Sequence, residues 1–231
     1  MAERDVLFLK KWNTLEKYFK KKDSGKKNFL TMLDDLKKKD YLINKFYDEI
    51  KDLYQIRNMI AHRTGNPIYA VPNDFTLKRL KFISDSLMRE ESLLSVINNK
   101  PTIFDLTSPI LDVIEIMYIK NYSQFPIYNN NVFVGMLTTN SMMRWYAAQV
   151  SKNGEVIHDL KEFEIGDILN YTEENELPLF LPRKITLNDF LSRLDTKRNV
   201  KNWLITESGN KNEKPLSIIT EFDYPELFKK I

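Results

Sequence analysis

The sequence predicts an α+β protein: an antiparallel helical bundle over residues 1–98, then two β-α-β-β-α units over residues 101–231. Three observations lead there. Apolar residues recur at three- and four-residue steps through the first hundred positions, the period of an amphipathic helix. Two stretches of the second part share one layout of helix, strand, turn and strand, which makes an internal repeat. Charge also changes sign. Residues 1–100 hold 21 Lys and Arg against 14 Asp and Glu, a net +7; residues 101–231 hold 14 against 18, a net −4. That shift places a domain boundary near Asn98-Asn99-Lys100-Pro101.

In the first part, Val6, Leu9, Trp12, Leu15, Tyr18 and Phe19 mark one helix with lysines opposite, broken at Asp23-Ser24-Gly25. Phe29, Met32, Leu33 and Leu36 mark a shorter second helix. Leu42, Phe46, Ile50, Leu53, Ile56 and Ile60 mark a third, with His62 and Arg63 in its last turn and Gly65 and Pro67 as stop signals. A fourth begins at an Asn73-Asp74 cap and runs through Leu77, Leu80, Ile83, Leu87 and Leu94. Four helices with short connections make an antiparallel bundle. The runs Lys20-Lys21-Lys22 and Lys37-Lys38-Lys39 read first as solvated helix faces, and second as charge able to attract RNA.

In the second part the informative stretch is Ser217-Ile218-Ile219-Thr220-Glu221-Phe222-Asp223. Two β-branched residues predict a short buried strand that turns directly into a helix. Thr220 then stands where backbone N–H groups are unpaired and an anion is welcome. Asp223, in the first helical turn, is placed to accept hydrogen bonds from vicinal hydroxyls. A phosphate site beside a diol acceptor suits a ribonucleotide. Gly135-Met136-Leu137-Thr138-Thr139-Asn140-Ser141 has the same layout upstream. It follows a helical run from Ile110 to Ile119, a strand Phe125-Pro126-Ile127-Tyr128 and an Asn turn. The downstream copy follows a run from Leu187 to Leu194, a strand from Val200 to Thr206 and a Ser-Gly-Asn turn. Between the copies, Asn153-Gly154 is a turn, Phe163 to Leu169 a short helix, Tyr171 to Glu176 an acidic loop, and Leu177 to Pro182 a strand. Trp145 and Tyr146 read as core or interface.

This arrangement resembles a CBS-domain pair, a Bateman module, whose G-h-h-T-x-x-D motifs read adenine nucleotides. The copies would span about 101–152 and 163–231. The resemblance implies ligand contacts at Thr220 and Asp223, and at Thr138 and Ser141. The first copy keeps Gly135 and Thr138 but has Ser141 in place of Asp; the second has Ser217 for Gly. AMP, ATP, adenosine, a cyclic dinucleotide and S-adenosylmethionine all remain open as ligand. A second resemblance lies at Arg57-Asn58-Met59-Ile60-Ala61-His62, where Asn58 and His62 are four apart and share a helix face. It is similar to the R-N-x-x-x-H signature of HEPN domains, helical bundles that often dimerise and include ribonucleases. The resemblance implies His62 as acid/base, Arg57 as phosphate clamp and Asn58 as a positioning residue.

Composition bounds the rest. The chain has no Cys and only His62 and His158, which excludes disulfides, thiol catalysis and a Cys or His-rich metal site, so no metal is expected. A charged start with no long apolar run leads to an expectation of no signal peptide, no membrane segment and a cytoplasmic place. Three functions stand: a homodimeric adenine-nucleotide sensor in which the pair modulates the bundle; a metal-independent ribonuclease under its control; or a dimeric adaptor without ligand.

Overall fold

The computed structural model describes residues 3–23, 27–62, 71–153, 159–197 and 199–230. The Ser24-Gly25 break, the stop signals at Arg63, Gly65 and Pro67, the turn at Gly154 and His158 lie outside the described residues. Helix and sheet are both present, with the first part helical. The chain divides into two compact units: residues up to Glu91 with Thr186–Asp195, and Ser92–Ile185 with Thr196–Lys230.

The helical unit opens with α1 (Glu3–Lys22), which has Glu3 and Asp5 in its first turn and three lysines in its last, both complementing the helix dipole. Its buried stripe is Phe8, Trp12, Leu15 and Phe19, with Leu9 and Tyr18 at the margins. Val6, counted with the apolar face in the sequence, is 55% exposed. It lies two positions from Phe8, on a different face of a 3.6-residue helix. Helix α2 (Phe29–Leu36) is capped by Asn28, whose side chain accepts from Thr31 N at 2.9 Å.

The third helix expected from the sequence is two helices, α3 (Tyr41–Lys45) and α4 (Tyr47–Ala61). Phe46 interrupts them with φ −99° and ψ 11° while remaining buried. Its carbonyl accepts from Ile50 N, so α4 starts there without a loop. Apolar periodicity passes through such a corner unchanged, because the residues on both sides enter one core. Helix α5 (Asp74–Met88) has the expected Asn73 cap, which accepts from Thr76 N at 2.8 Å. Leu94 does not continue it: the chain is extended at Arg89, and Leu94 lies in α6 (Leu93–Val96) of the other unit.

At the centre of the helical unit Trp12 meets Phe29 at 5.1 Å and Tyr54 at 6.0 Å between ring centroids, and Phe29 stacks on Tyr54 at 4.7 Å. The same unit holds a polar knot. Asp40 caps α3 by accepting from Ile43 N at 3.0 Å, and pairs with Lys22. For Lys22, burial works against the charge, but hydrogen bonds to Asp40 and Tyr18 prevail and hold the ammonium above its usual range. A cation with a raised folded pKa adds stability that is complete below its unfolded value near 10.5 and is lost as pH climbs through the folded value. Urea midpoints are therefore expected to fall above pH 10.5, and to fall less in Lys22→Met.

The second unit repeats one motif. In the first copy β1 (Phe104–Asp105) runs parallel to β2 (Gln124–Asn129), with α7 (Ile110–Lys120) crossing between them; β2 then pairs antiparallel with β3 (Val132–Thr138), which leads into α8 (Thr139–Asn153). Asn130 and Asn131 both have positive φ, 49° and 65°, the pattern of a two-residue type I′ hairpin, which asparagine tolerates. After α9 (Ile165–Leu169), the second copy places β4 (Leu179–Pro182) parallel to β5 (Asn202–Thr206) and β5 antiparallel to β6 (Ser217–Thr220). The acidic loop of the sequence reading contains a single 3₁₀ turn, Glu174–Glu176, and Glu176 is 4% exposed. A Cβ on Gly135 would stand 2.8 Å from Leu169 Cδ2, so the small residue in β3 lets α9 approach. Trp145, buried on α8, packs edge-on against Phe163 at 5.0 Å.

Helix α10 (Leu187–Thr196) falls between β4 and β5 in the chain, yet Thr186–Asp195 belong to the helical unit. Polar contacts explain why. Asn188 Nδ2 donates to both oxygens of Asp40 at 3.1 Å and its Oδ1 accepts from Leu42 N at 3.2 Å. Ser192 Oγ accepts from Tyr41 N at 2.9 Å.

Candidate functional site

Each copy has a corner where its last strand ends, and the two corners differ. After β6 the chain enters a 3₁₀ turn (Glu221–Asp223) before the five-residue α11 (Tyr224–Phe228), so Asp223 sits at a turn rather than inside the helix the sequence predicts. Pro225 favours this late start, since its missing N–H is unneeded in a first helical turn. Trp203 Nε1 donates to Tyr224 Oη at 3.1 Å, which fixes α11 against β5, and burial raises the Tyr224 phenol.

The Asp223 carboxylate folds back on the strand end. Its Oδ2 accepts from Thr220 N at 2.7 Å and Thr220 Oγ1 at 3.2 Å, and its Oδ1 accepts from Asn99 Nδ2 at 2.8 Å. A carboxylate offers about four lone-pair sites, so these bonds leave little capacity unused. Asn99 is itself held to β6, its carbonyl accepting from Ile218 N at 2.9 Å and Ser217 Oγ at 3.2 Å.

Over this corner lies a cavity of about 310 Å³. Thr220 and Asp223 form one wall; Asn99, Lys100 and Thr102, from the segment before β1, form another. Tyr122 and Gln124, from the turn after α7 and the start of β2, complete it, with the Phe222 ring exposed at the edge. That turn is made by Asn121 in the left-handed conformation, φ 54°. The lining thus combines a carboxylate, an ammonium, amides, hydroxyls and two aromatic faces.

The corner after β3 is closed. Thr138 N donates to Ser141 Oγ at 2.9 Å, Ser141 N donates to Thr138 Oγ1 at 3.0 Å, and both residues are buried. Thr138 Oγ1 donates in turn to Glu176 Oε1 at 2.8 Å, and Glu176 is paired with Arg144 on α8. Thr138 and Ser141 are hydrogen-bonded to each other, but neither lines the cavity, and Thr138 instead faces a carboxylate of the chain itself.

Arg57 and Asn58 lie on α4, where Arg57 Nη1 donates to Asn58 Oδ1 at 3.1 Å. His62 is the residue after the last turn; its backbone N–H donates to Asn58 O at 3.0 Å and its side chain is exposed. Sequence reasoning missed Asn99, Arg144 and Glu176. A signal was present: Asn99 stands two residues before Pro101 and Glu176 two before Pro178, the same place in each copy. Among the described residues no group of three His, Cys, Asp or Glu is placed to hold a metal, and no helix is long and apolar enough to cross a membrane.

Solved structures similar to this chain include the CBS domain of a CBS-domain-containing membrane protein from Sphaerobacter thermophilus, at 12% identity, covering 67% of this chain and 96% of that one, with a TM-score of 0.47. The CBS domain of a bacterial CNNM/CorC-family Mg2+ transporter in complex with ATP is similar at 16% identity, over 67% of this chain and 96% of that one, with a TM-score of 0.45. CBSX2 in complex with AMP is similar at 14% identity, over 61% and 95%, with a TM-score of 0.42. No curated protein matches the chain. The family model of the CBS domain matches residues 93–148, the stretch from α6 through the first three-stranded sheet into α8, so this part of the chain is similar to a CBS domain.

Proposed function

We propose that the chain is an adenine-nucleotide-sensing regulatory protein that holds its ligand over the second corner, at Thr220 and Asp223. One observation carries the reading: both residues line a single cavity together with Asn99, Lys100, Tyr122 and Gln124. At about 310 Å³ it stands at the small end of ligand pockets. Asp223 accepts from a ribose hydroxyl as Asn99 gives way, Lys100 meets a phosphate, and Tyr122 and Phe222 offer faces to a base. Ligand binding then shifts whichever state of the protein it binds more tightly, in the helical unit or in homodimer pairing.

The test is a thermal-shift comparison of AMP, ATP and GMP on the full chain and on Asp223→Ala. Ligand at about 100 times its dissociation constant adds roughly 2.7 kcal/mol. For a chain of this size that corresponds to a gain of several degrees, at about 2–4 °C per kcal/mol. The gain is expected with adenine nucleotides and absent in Asp223→Ala. An unchanged melting temperature with every nucleotide would sink the reading.

A further inference from the structure

The Glu176 carboxylate is almost fully buried and surrounded by donors: Thr138 Oγ1 at 2.8 Å, Glu173 N at 2.8 Å and the Arg144 guanidinium. Arg144 is further fixed by Tyr171 O, to which its Nε donates at 2.8 Å. Set side by side, the two corners exchange roles. In the second, Asp223 supplies a carboxylate from the motif and Asn99 answers with an amide across the junction. In the first, the motif has Ser141, and the residue equivalent to Asn99 is Glu176, which supplies the carboxylate from the opposite side. The neighbouring charge is exchanged as well. Lys100 lines the second cavity, whereas Leu177 takes the equivalent place in the groove beside the first, among Glu173 and Glu174. Asn202, paired in register with Thr220, donates to Glu176 O at 2.9 Å and keeps a buried Oδ1 with no partner among the described residues.

We propose that the first corner is an anion site occupied by the chain's own Glu176, so that the pair takes one nucleotide per chain, at Asp223 only. The donors gathered around Glu176 are those an external phosphate or carboxylate would need: a hydroxyl, a backbone N–H at a turn and a guanidinium. An isolated carboxylate at this depth would be costly, and its full set of partners explains why it stays. A ligand phosphate entering there would have to displace a tethered carboxylate, whose effective concentration is set by the chain and not by the solution.

The sealed corner is tested without any nucleotide, so its failure is separable from failure of the sensor reading. Glu176→Ala leaves Arg144 and Thr138 facing an open anion site. Sodium phosphate or sodium acetate is expected to raise its melting temperature, over chloride at equal ionic strength, by several degrees more than it raises that of the wild type. Glu173 Oε1 lies 3.6 Å from Arg144 Nη1 and is able to swing in, so the measurement is repeated in Glu173→Gln/Glu176→Ala. Glu176→Gln keeps the side-chain shape and is expected to show the same gain at smaller size, should the alanine variant fail to fold. The idea is overturned if none of these variants gains from phosphate or acetate, or if Arg144→Ala/Glu176→Ala gains as much. Calorimetric titration of the wild type with AMP that gives two sites per chain overturns it equally. Absence of AMP binding, with phosphate rescue of Glu176→Ala intact, removes the sensor reading and leaves the sealed corner standing.

Discussion

Trp12→Ala is expected to cost about 3–5 kcal/mol, enough to unfold the helical unit under conditions where the wild type is folded. The indole is fully buried and lies against Phe29 and Tyr54, so its removal leaves a hole that rigid rings on two other helices cannot fill by rotation. Its Nε1 also donates to Glu16 Oε2 at 3.2 Å, a bond that alanine abandons. Urea unfolding followed by circular dichroism is expected to show an early transition carrying the helical unit's share of the signal. Trp12→Phe, which refills most of the volume, is expected to recover more than half of the loss. A midpoint for Trp12→Ala close to the wild type would mean that this ring cluster is not the centre of the unit.

Asp40→Ala is expected to cost about 3–5 kcal/mol, the penalty for breaking a buried ion pair from one side. Three kinds of partner lose their acceptor at once: the Lys22 ammonium, the Ile43 N–H at the start of α3 and the Asn188 amide. Lys22 is one-third exposed and regains some water, which places the loss toward the lower end. Asp40→Asn keeps an oxygen for the cap and is expected to lose less. Since Asn188 belongs to α10, loosening of that helix is also expected, and amide hydrogen exchange at Leu191 and Ser192 rising well above global opening in Asp40→Ala checks it. Exchange there as slow as in the wild type would show that α10 is held by its apolar side alone.

Much of this was legible in the residues. The apolar stripes of α1 and α2, the cap at Asn73 and the repeated order of helix and strands follow from short-range rules, and neighbours in sequence are enough to apply them. The corner at Phe46 was not legible, because its apolar side chain obeys the helical period while its backbone leaves it. The site divides the same way. Thr220 and Asp223 announce themselves by spacing, and they do meet. Asn99 and Glu176 reach their motifs from 124 and 38 residues away, respectively, and no local pattern marks an asparagine or a glutamate as the partner of a distant threonine or aspartate. Only alignment of the two copies on Pro101 and Pro178 would have singled them out.

The place of α10 has a consequence for how this chain can be inherited. Helical domains and paired β-α-β-β-α units are ordinarily pictured as beads that recombination moves freely, joined by a linker and separable by a cut. Here the helical unit borrows Thr186–Asp195 from the middle of the second copy. No single cut can part the two: a piece ending at Glu91 would leave Asp40 and the Tyr41 and Leu42 N–H groups without Asn188 and Ser192, and a piece beginning at Ser92 would carry α10 away from them. Each half therefore constrains drift in the other. A substitution tolerated at Asn188 by the sheet it follows still has to satisfy Asp40, so a change at either residue is felt in both regions.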